Sequence, residues 1–182
     1  VMSRALLKGL YPDTTYANNS GGEPADIPNL THEGLLAFHA KYYHPSNSFF
    51  YTYGNLPLEE TLGFIEEKVL AQFDFLDMDT RVPSQPRWDA PRTMTQNYAY
   101  TDADDLSKKF QACVAWLTPD IRSGFEVLVM TVIEQVLLGN SGSPLRKALI
   151  EADLGSALSD GTGFDGDNRD TMFVCGLKDI KE

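Results

Sequence analysis

The residues of this chain best suited to hold a transition metal are three histidines, and their spacing decides against it. His32, His39 and His44 are seven and five positions apart. Two ligands on one helix face need a spacing of three or four. The inverted zinc motif His-x-x-Glu-His meets that requirement and adds a glutamate as general base; no histidine pair here does. His39 falls on an apolar helix face and reads as a packed core histidine. His44 precedes Pro45, which restricts it to extended backbone and makes it a turn residue. No catalytic or metal-binding residue is assigned to this chain.

Two further patterns invite chemistry and fail on context. Gly161-Thr162-Gly163-Phe164-Asp165-Gly166 matches a dinucleotide fingerprint, but that motif needs a helix amino end facing phosphate. Here Asp160, Asp165, Asp167 and Asp170 surround it and strand-like Met172 to Leu177 follows. The aspartates are not an EF-hand, which needs glycine at position six and glutamate at position twelve of its loop; a loose, adventitious cation site is the most they allow. Cys113 and Cys175, 62 positions apart, form neither a zinc ribbon nor a redox pair and read as buried thiols.

The remaining candidate is the loop Gly139-Asn140-Ser141-Gly142-Ser143-Pro144. Ser143 can cap a short helix with Pro144 at its first position, and the glycines let another backbone approach. The plainer reading is a helix-helix turn followed by an edge strand at Ser156, Ala157 and Leu158.

The elements that must position these residues follow from periodicity. Thr31 can cap a helix whose apolar face carries Leu35, Phe38, His39 and Tyr42, ended by Pro45. Asn47 to Gly54 alternates as a strand with Phe49, Tyr51 and Tyr53 on one face. That stripe could line a peptide groove, with burial against a helix as the default. A second helix buries Leu58, Leu62, Ile65, Val69 and Phe73. Asp74 to Pro91 reads as an extended connector, anchored in the core by Trp88. Strands at Arg92 to Thr101 and Lys108 to Leu117 make a hairpin around an acidic turn, Asp102 to Asp105. The longest helix follows Pro119; Phe125, Leu128, Val129, Val132, Ile133, Val136 and Leu137 mark its face, and it is apolar nearly all round. Such a helix is buried on more than one side, either within this chain or against a neighbouring domain. A last antiparallel strand pair turns through Gly161 to Asn168. The fold class is α+β: an antiparallel sheet of about four to six strands with helices mainly on one face.

Composition sets the outer bounds. The chain has 182 residues, 42% of them hydrophobic, enough for one sizeable core or two small ones. A net charge of -11 argues against nucleic acid, whose phosphates it would repel. It suits a basic peptide substrate, although plain solubility explains it more simply. No apolar run approaches the roughly 20 residues of a membrane helix. No leader is visible, and Val1 to Leu7 reads as the inside of a helix, as if the chain were cut from a longer intracellular protein.

Ser20 to Leu56, SGGEPADIPNLTHEGLLAFHAKYYHPSNSFFYTYGNL, resembles the pitrilysin/insulinase family of zinc metallopeptidases, in its presequence-protease branch. The likeness continues through Trp88-Asp89 with Pro91, Ser107-Lys108, Leu117 with Pro119-Asp120, Ser143-Pro144, the run Lys147 to Glu151, and Gly176-Leu177. It implies that residues 1–29 are the tail of a preceding catalytic domain with its linker. Residues 30–182 would be a non-catalytic second domain, truncated at its C-terminus. Zinc would belong to the parent enzyme and no cofactor to this segment. The partners implied are a peptide substrate and neighbouring domains, with self-association of the isolated segment, in a bacterial cytoplasm or organelle matrix. In the family such a domain offers a place where a captured peptide adds as a strand. Carried over, that role falls on Gly139, Asn140, Ser141, Gly142, Ser143, Gly155, Ser156, Ala157 and Leu158. The second function class is a scaffold that kept the fold without peptidase activity.

Overall fold

The structure is a computed structural model that describes residues 1–101 and 106–181. In chain order its main elements are α1 (Met2–Leu10), α2 (His32–Tyr42), α3 (Leu58–Lys68), β1 (Phe110–Asp120), α4 (Gly124–Leu138), α5 (Pro144–Glu151), β2 (Ala157–Leu158), β3 (Gly163–Asp165) and β4 (Asp170–Ile180). They fall into two compact units, residues 1–21 with 82–182, and residues 22–81. No helix among the described residues is long and apolar enough to cross a membrane.

The first unit is built on β4. One side of it pairs antiparallel with β1 and the other with β2 and β3, so the sheet is antiparallel with four strands. Together with the helices this is the α+β class that the pattern of elements predicts. Opposed residues in the ladder include Leu117 with Met172, Trp116 with Phe173, and Ala115 with Val174. Because side chains alternate along a strand, Cys113, Ala115 and Leu117 share a face with Met172 and Val174. Leu6, Leu10 and Tyr11, from α1 and its end, close over that face to form the core. Each such side chain contributes about 1.5–3 kcal/mol by leaving water. On the opposite face Trp116 and Phe173 meet with ring centroids 6.3 Å apart.

A polar cluster sits beside this core. The Tyr11 hydroxyl donates to the Asp170 carbonyl at 2.7 Å. Gln85, 2% exposed, donates its backbone N–H to Asp170 Oδ2 at 2.6 Å and its side-chain amide to Asp13 Oδ2 at 2.6 Å. Arg87 reaches Asp170 Oδ1 at 3.1 Å, and Arg169 pairs with Asp120 at 2.7 Å. The connector is thus extended, as its prolines predict, but its anchor is Gln85. Trp88 is 36% exposed, with the Arg92 guanidinium 3.8 Å above its ring. An indole so capped satisfies its flat face with a cation at the surface.

Two other expectations are corrected in this unit. Arg92 to Thr101 joins no ladder, so the hairpin with β1 is absent among the described residues; Asp102 to Asp105 lie outside them. The partner of β1 is β4, an eleven-residue strand that pairs with it from Phe110 to Asp120 with two irregularities. The α4 helix forms where predicted, yet Phe125 is 79% exposed and Leu128, Val132 and Val136 are exposed with it. Within this unit, the described residues leave that face of the helix uncovered.

In the second unit Thr31 caps α2, its hydroxyl accepting the Gly34 N–H at 3.1 Å. His44 Nδ1 accepts the Ser46 N–H at 3.1 Å, the turn role expected of it. His39 is exposed and stacks on Tyr43 with centroids 4.8 Å apart. It is therefore not a core histidine of this unit: among its described residues no apolar layer covers the face of α2 that carries it. Asn47 to Gly54 forms no strand, and Phe49 is 92% exposed. Alternation supplies a face, but a ladder also needs a partner. The predicted helix ends at Lys68, short of Val69 and Phe73, and its stripe is likewise exposed at Leu58 and Leu62.

Candidate functional site

The loop from Gly139 to Ser143 is closed on itself by hydrogen bonds. The Gly139 N–H donates to the Gln135 carbonyl at 3.1 Å. A side chain on Gly139 would start 2.5 Å from that same carbonyl, so only glycine fits the end of α4. The Gly142 N–H donates to Asn140 Oδ1 at 2.9 Å, an Asx turn. The Ser143 N–H donates to the Asn140 carbonyl at 3.1 Å.

Ser143 stands at the N-cap of α5 with Pro144 behind it, as the sequence indicates, but its hydroxyl does not cap. It is buried and turned back, accepting the Asn140 N–H at 3.2 Å. Gly139, Asn140, Ser141 and Gly142 are exposed.

The second group lies on the sheet. Gly155 crosses over β4 so closely that a side chain on it would start 2.5 Å from the Lys178 carbonyl. The Ser156 N–H donates to that carbonyl at 3.1 Å, and the Ser156 hydroxyl bonds Asp179. Ala157 stands opposite Lys178 and Leu158 opposite Leu177. The Ser159 N–H donates to the Gly176 carbonyl at 2.9 Å. Backbone groups alternate sides along an antiparallel strand, so the N–H and C=O of Leu158 point away from β4. Among the described residues β2 has no other strand beside it. That is an open edge, with the backbone donor and acceptor an incoming strand would use.

The two groups are not brought into one pocket by any hydrogen bond between them among those described. The eight-residue α5 stands between, the loop before its first turn and β2 after its last, a length of about 12 Å. The polar loop bonds to itself and to the end of α4, whereas the N–H and C=O of Leu158 face away from β4.

The tempting Gly161 to Gly166 motif lies on β3 and leads through a turn into β4, not into a helix. Its residues and Glu134 line a shallow depression of about 290 Å3. Cys113 and Cys175 are half-buried, and burial pushes both thiols up from their ordinary range. Sequence reasoning missed Tyr11, Gln85 and Asp170; the one available signal was a glutamine held between Pro83 and Pro86.

Metal ligation is a fair question for the histidines, and the geometry does not suit it. His39 is stacked, His44 has its Nδ1 engaged, and among the described residues no three His, Cys, Asp or Glu side chains gather into a ligand set.

The pattern of the peptidase M16 inactive domain matches residues 29–179. The chain belongs to the M16 peptidase family. This M16 segment is 43% identical to the mitochondrial presequence protease of Xenopus laevis over 183 residues, covering 100% of the chain and 18% of that protein. It is 35% identical to protein HypA of Clostridium perfringens over 181 residues, again 100% of the chain and 18% of that protein. To presequence protease 1, chloroplastic/mitochondrial, of Arabidopsis thaliana it is 34% identical over 191 residues, 100% of the chain and 17% of that protein. The M16 segment therefore spans less than a fifth of the length of these relatives. Its membership is the pitrilysin/insulinase likeness that Ser20 to Leu56 carries.

Proposed function

We propose that this M16 segment is a non-catalytic, substrate-embracing domain of a zinc-dependent oligopeptidase that degrades short unstructured peptides. The observation that carries the reading is the match to the inactive domain of the family, joined to relatives named presequence proteases at 43% identity. Residues 1–29 serve as the tail of the preceding catalytic domain and its linker, and residues 30–182 as the second domain. Zinc, and the water activation it supports, belong to the longer parent protein, in an organelle matrix or a bacterial cytoplasm.

Within that division of labour the part played here is to hold peptide. The open edge at β2 supplies the chemistry: a peptide adding beside Leu158 is read through its backbone, which suits substrates of varied sequence. Gly155 sets the depth of that edge by its approach to β4. The loop at Gly139 to Ser143 lies at the opposite end of α5 from this edge, and the neighbouring domains are its other partners.

The test is made on the full-length parent beside this 182-residue segment, with one unstructured basic peptide. Zinc and cleavage in the parent alone support the reading; zinc-dependent cleavage by the segment alone overturns it. Leu158→Pro removes the outward N–H and is expected to raise KM in the parent about tenfold, the effect of about 1.4 kcal/mol of lost binding, at unchanged zinc content. A parent without zinc or cleavage moves the assignment to a scaffold that kept the fold.

A further inference from the structure

An open groove of about 550 Å3 lies between the end of β1 and the amino-terminal part of α4. Leu117 and Pro119 line it from the strand and Phe125 and Val129 from the helix, while Arg87 and Glu126 bring opposite charges to it. Phe125 and Val129 belong to the exposed apolar face of α4. The volume is that of a small-molecule site, and no residue of the β2 edge takes part in it.

The two charges do not neutralise each other. Arg87 commits one nitrogen to the fold: its Nη2 donates to the Thr118 carbonyl at 2.8 Å and to Asp170 Oδ1 at 3.1 Å. Among the described residues its Nε and Nη1 have no partner, and the side chain is 48% exposed. Glu126 is exposed, and among the described residues its carboxylate has neither hydrogen bond nor ion pair. A guanidinium held in place with donors to spare is suited to a carboxylate. An unpaired carboxylate across an apolar wall is suited to an ammonium.

We propose that this groove binds an apolar dipeptide as a zwitterion, with its carboxylate on Arg87, its ammonium on Glu126 and its side chains against Pro119, Phe125 and Val129. A residue inside a longer peptide offers neither charge, because both of its ends are amides. A single amino acid has both charges but leaves much of the groove empty. The ligand class is therefore the small fragment left when peptides have been cut down, and not the extended chain that adds beside Leu158. The site does not rest on the peptidase reading. Under that reading it gives small products a place of their own, apart from the edge that takes substrate.

The test titrates this chain, without zinc or substrate, with the dipeptide Leu-Leu and follows its backbone and arginine side-chain NMR signals, so its failure is distinct from that of the cleavage experiment. Saturable shifts confined to Arg87, Thr118 and residues 125–130 are expected. N-acetylated Leu-Leu and Leu-Leu amide are each expected to bind about threefold to fivefold more weakly, the effect of losing an ion pair open to water. Gly-Gly, without apolar side chains, is expected not to saturate. Glu126→Gln is expected to abolish the difference between Leu-Leu and its acetylated form and to keep the difference from the amide. Arg87→Gln is expected to do the converse; because Arg87 also holds Asp170, Glu126→Gln decides the matter if that variant does not fold. Shifts scattered over the surface, no saturation by Leu-Leu, saturation by Gly-Gly, equal binding of the capped forms, or a penalty for acetylation that survives Glu126→Gln overturns the site.

Discussion

The backbone N–H of Gln85 donates to Asp170 Oδ2 across 2.6 Å, although the two residues are 85 positions apart. Asp170 is buried and takes three donors, with Gln85 and Arg87 on its carboxylate and Tyr11 on its carbonyl. Residues 11–16 and 82–87, the two stretches that flank the other compact unit in sequence, are both fastened here. Asp170→Ala strands the buried Gln85 N–H and frees the half-exposed Arg87 side chain to water, and is expected to lower stability by about 1–3 kcal/mol. Gln85→Ala, which keeps the backbone bond, is expected to lower it by about 1–3 kcal/mol. Urea unfolding of both variants and the double variant measures the coupling.

Tyr11 governs the alkaline limit. Burial, and then the nearby Asp165 and Asp170 carboxylates, push its hydroxyl from 10.0 up to about 12. A phenol whose folded value is raised stabilises the fold below its unfolded value and loses that contribution as pH rises from 10 through 12. The loss expected is about 2–3 kcal/mol. Tyr11→Phe is expected to flatten that part of the stability profile while lowering stability at neutral pH.

Asp120 governs the acid side. Hydrogen bonds from Arg122, and then from Arg169, hold its carboxyl well below the ordinary carboxylate range. A depressed folded value means the contribution is complete above the unfolded value near 4 and disappears as pH falls through the folded one. Asp120→Asn is expected to reduce the slope of stability against pH below about 4, read by thermal unfolding across a pH series.

Gly155 is expected to tolerate no side chain. Gly155→Ala places a methyl 2.5 Å from the Lys178 carbonyl and 3.1 Å from Leu177 Cβ, an overpacking that costs about 1–3 kcal/mol. β2 must lift from β4 to relieve it, so amide exchange at Ala157 and Leu158 is expected to quicken more than at Val174.

The uncovered face of α4 is expected to make the isolated segment self-associate, because contiguous apolar surface of this kind seeks a partner. Sedimentation across a concentration series measures it. Val132→Glu combined with Val136→Glu, both at exposed positions, is expected to restore a monomer without loss of helix.

Much of the local structure was legible because local chemistry decides it. Thr31 announces the start of α2, Pro45 its end, Ser143-Pro144 the start of α5, and the apolar run after Pro119 gives α4. What could not be read is pairing and cover. Phe49, Tyr51 and Tyr53 have strand residues in strand order, yet nothing in them names a partner. The same holds for Arg92 to Thr101, while β1 and β4 chose each other. At the candidate site, the glycines were legible as close approaches, but the inward turn of the Ser143 hydroxyl was not, since it depends on where the last carbonyls of α4 fall. Gln85 was hidden for a related reason: its partners, Asp13 and Asp170, come from opposite ends of the sequence.

The packing of α1 against β4 sets the order in which a ribosome can complete the unit. Tyr11 and its acceptor on Asp170 are separated by 159 positions, so at about 5–20 residues per second roughly 8–30 s pass between their syntheses. Over that interval Leu6, Leu10 and Tyr11 can gain Cys113, Ala115 and Leu117 of β1, but they lack Met172 and Val174 of β4. The unit completes this core only once β4 has left the exit tunnel.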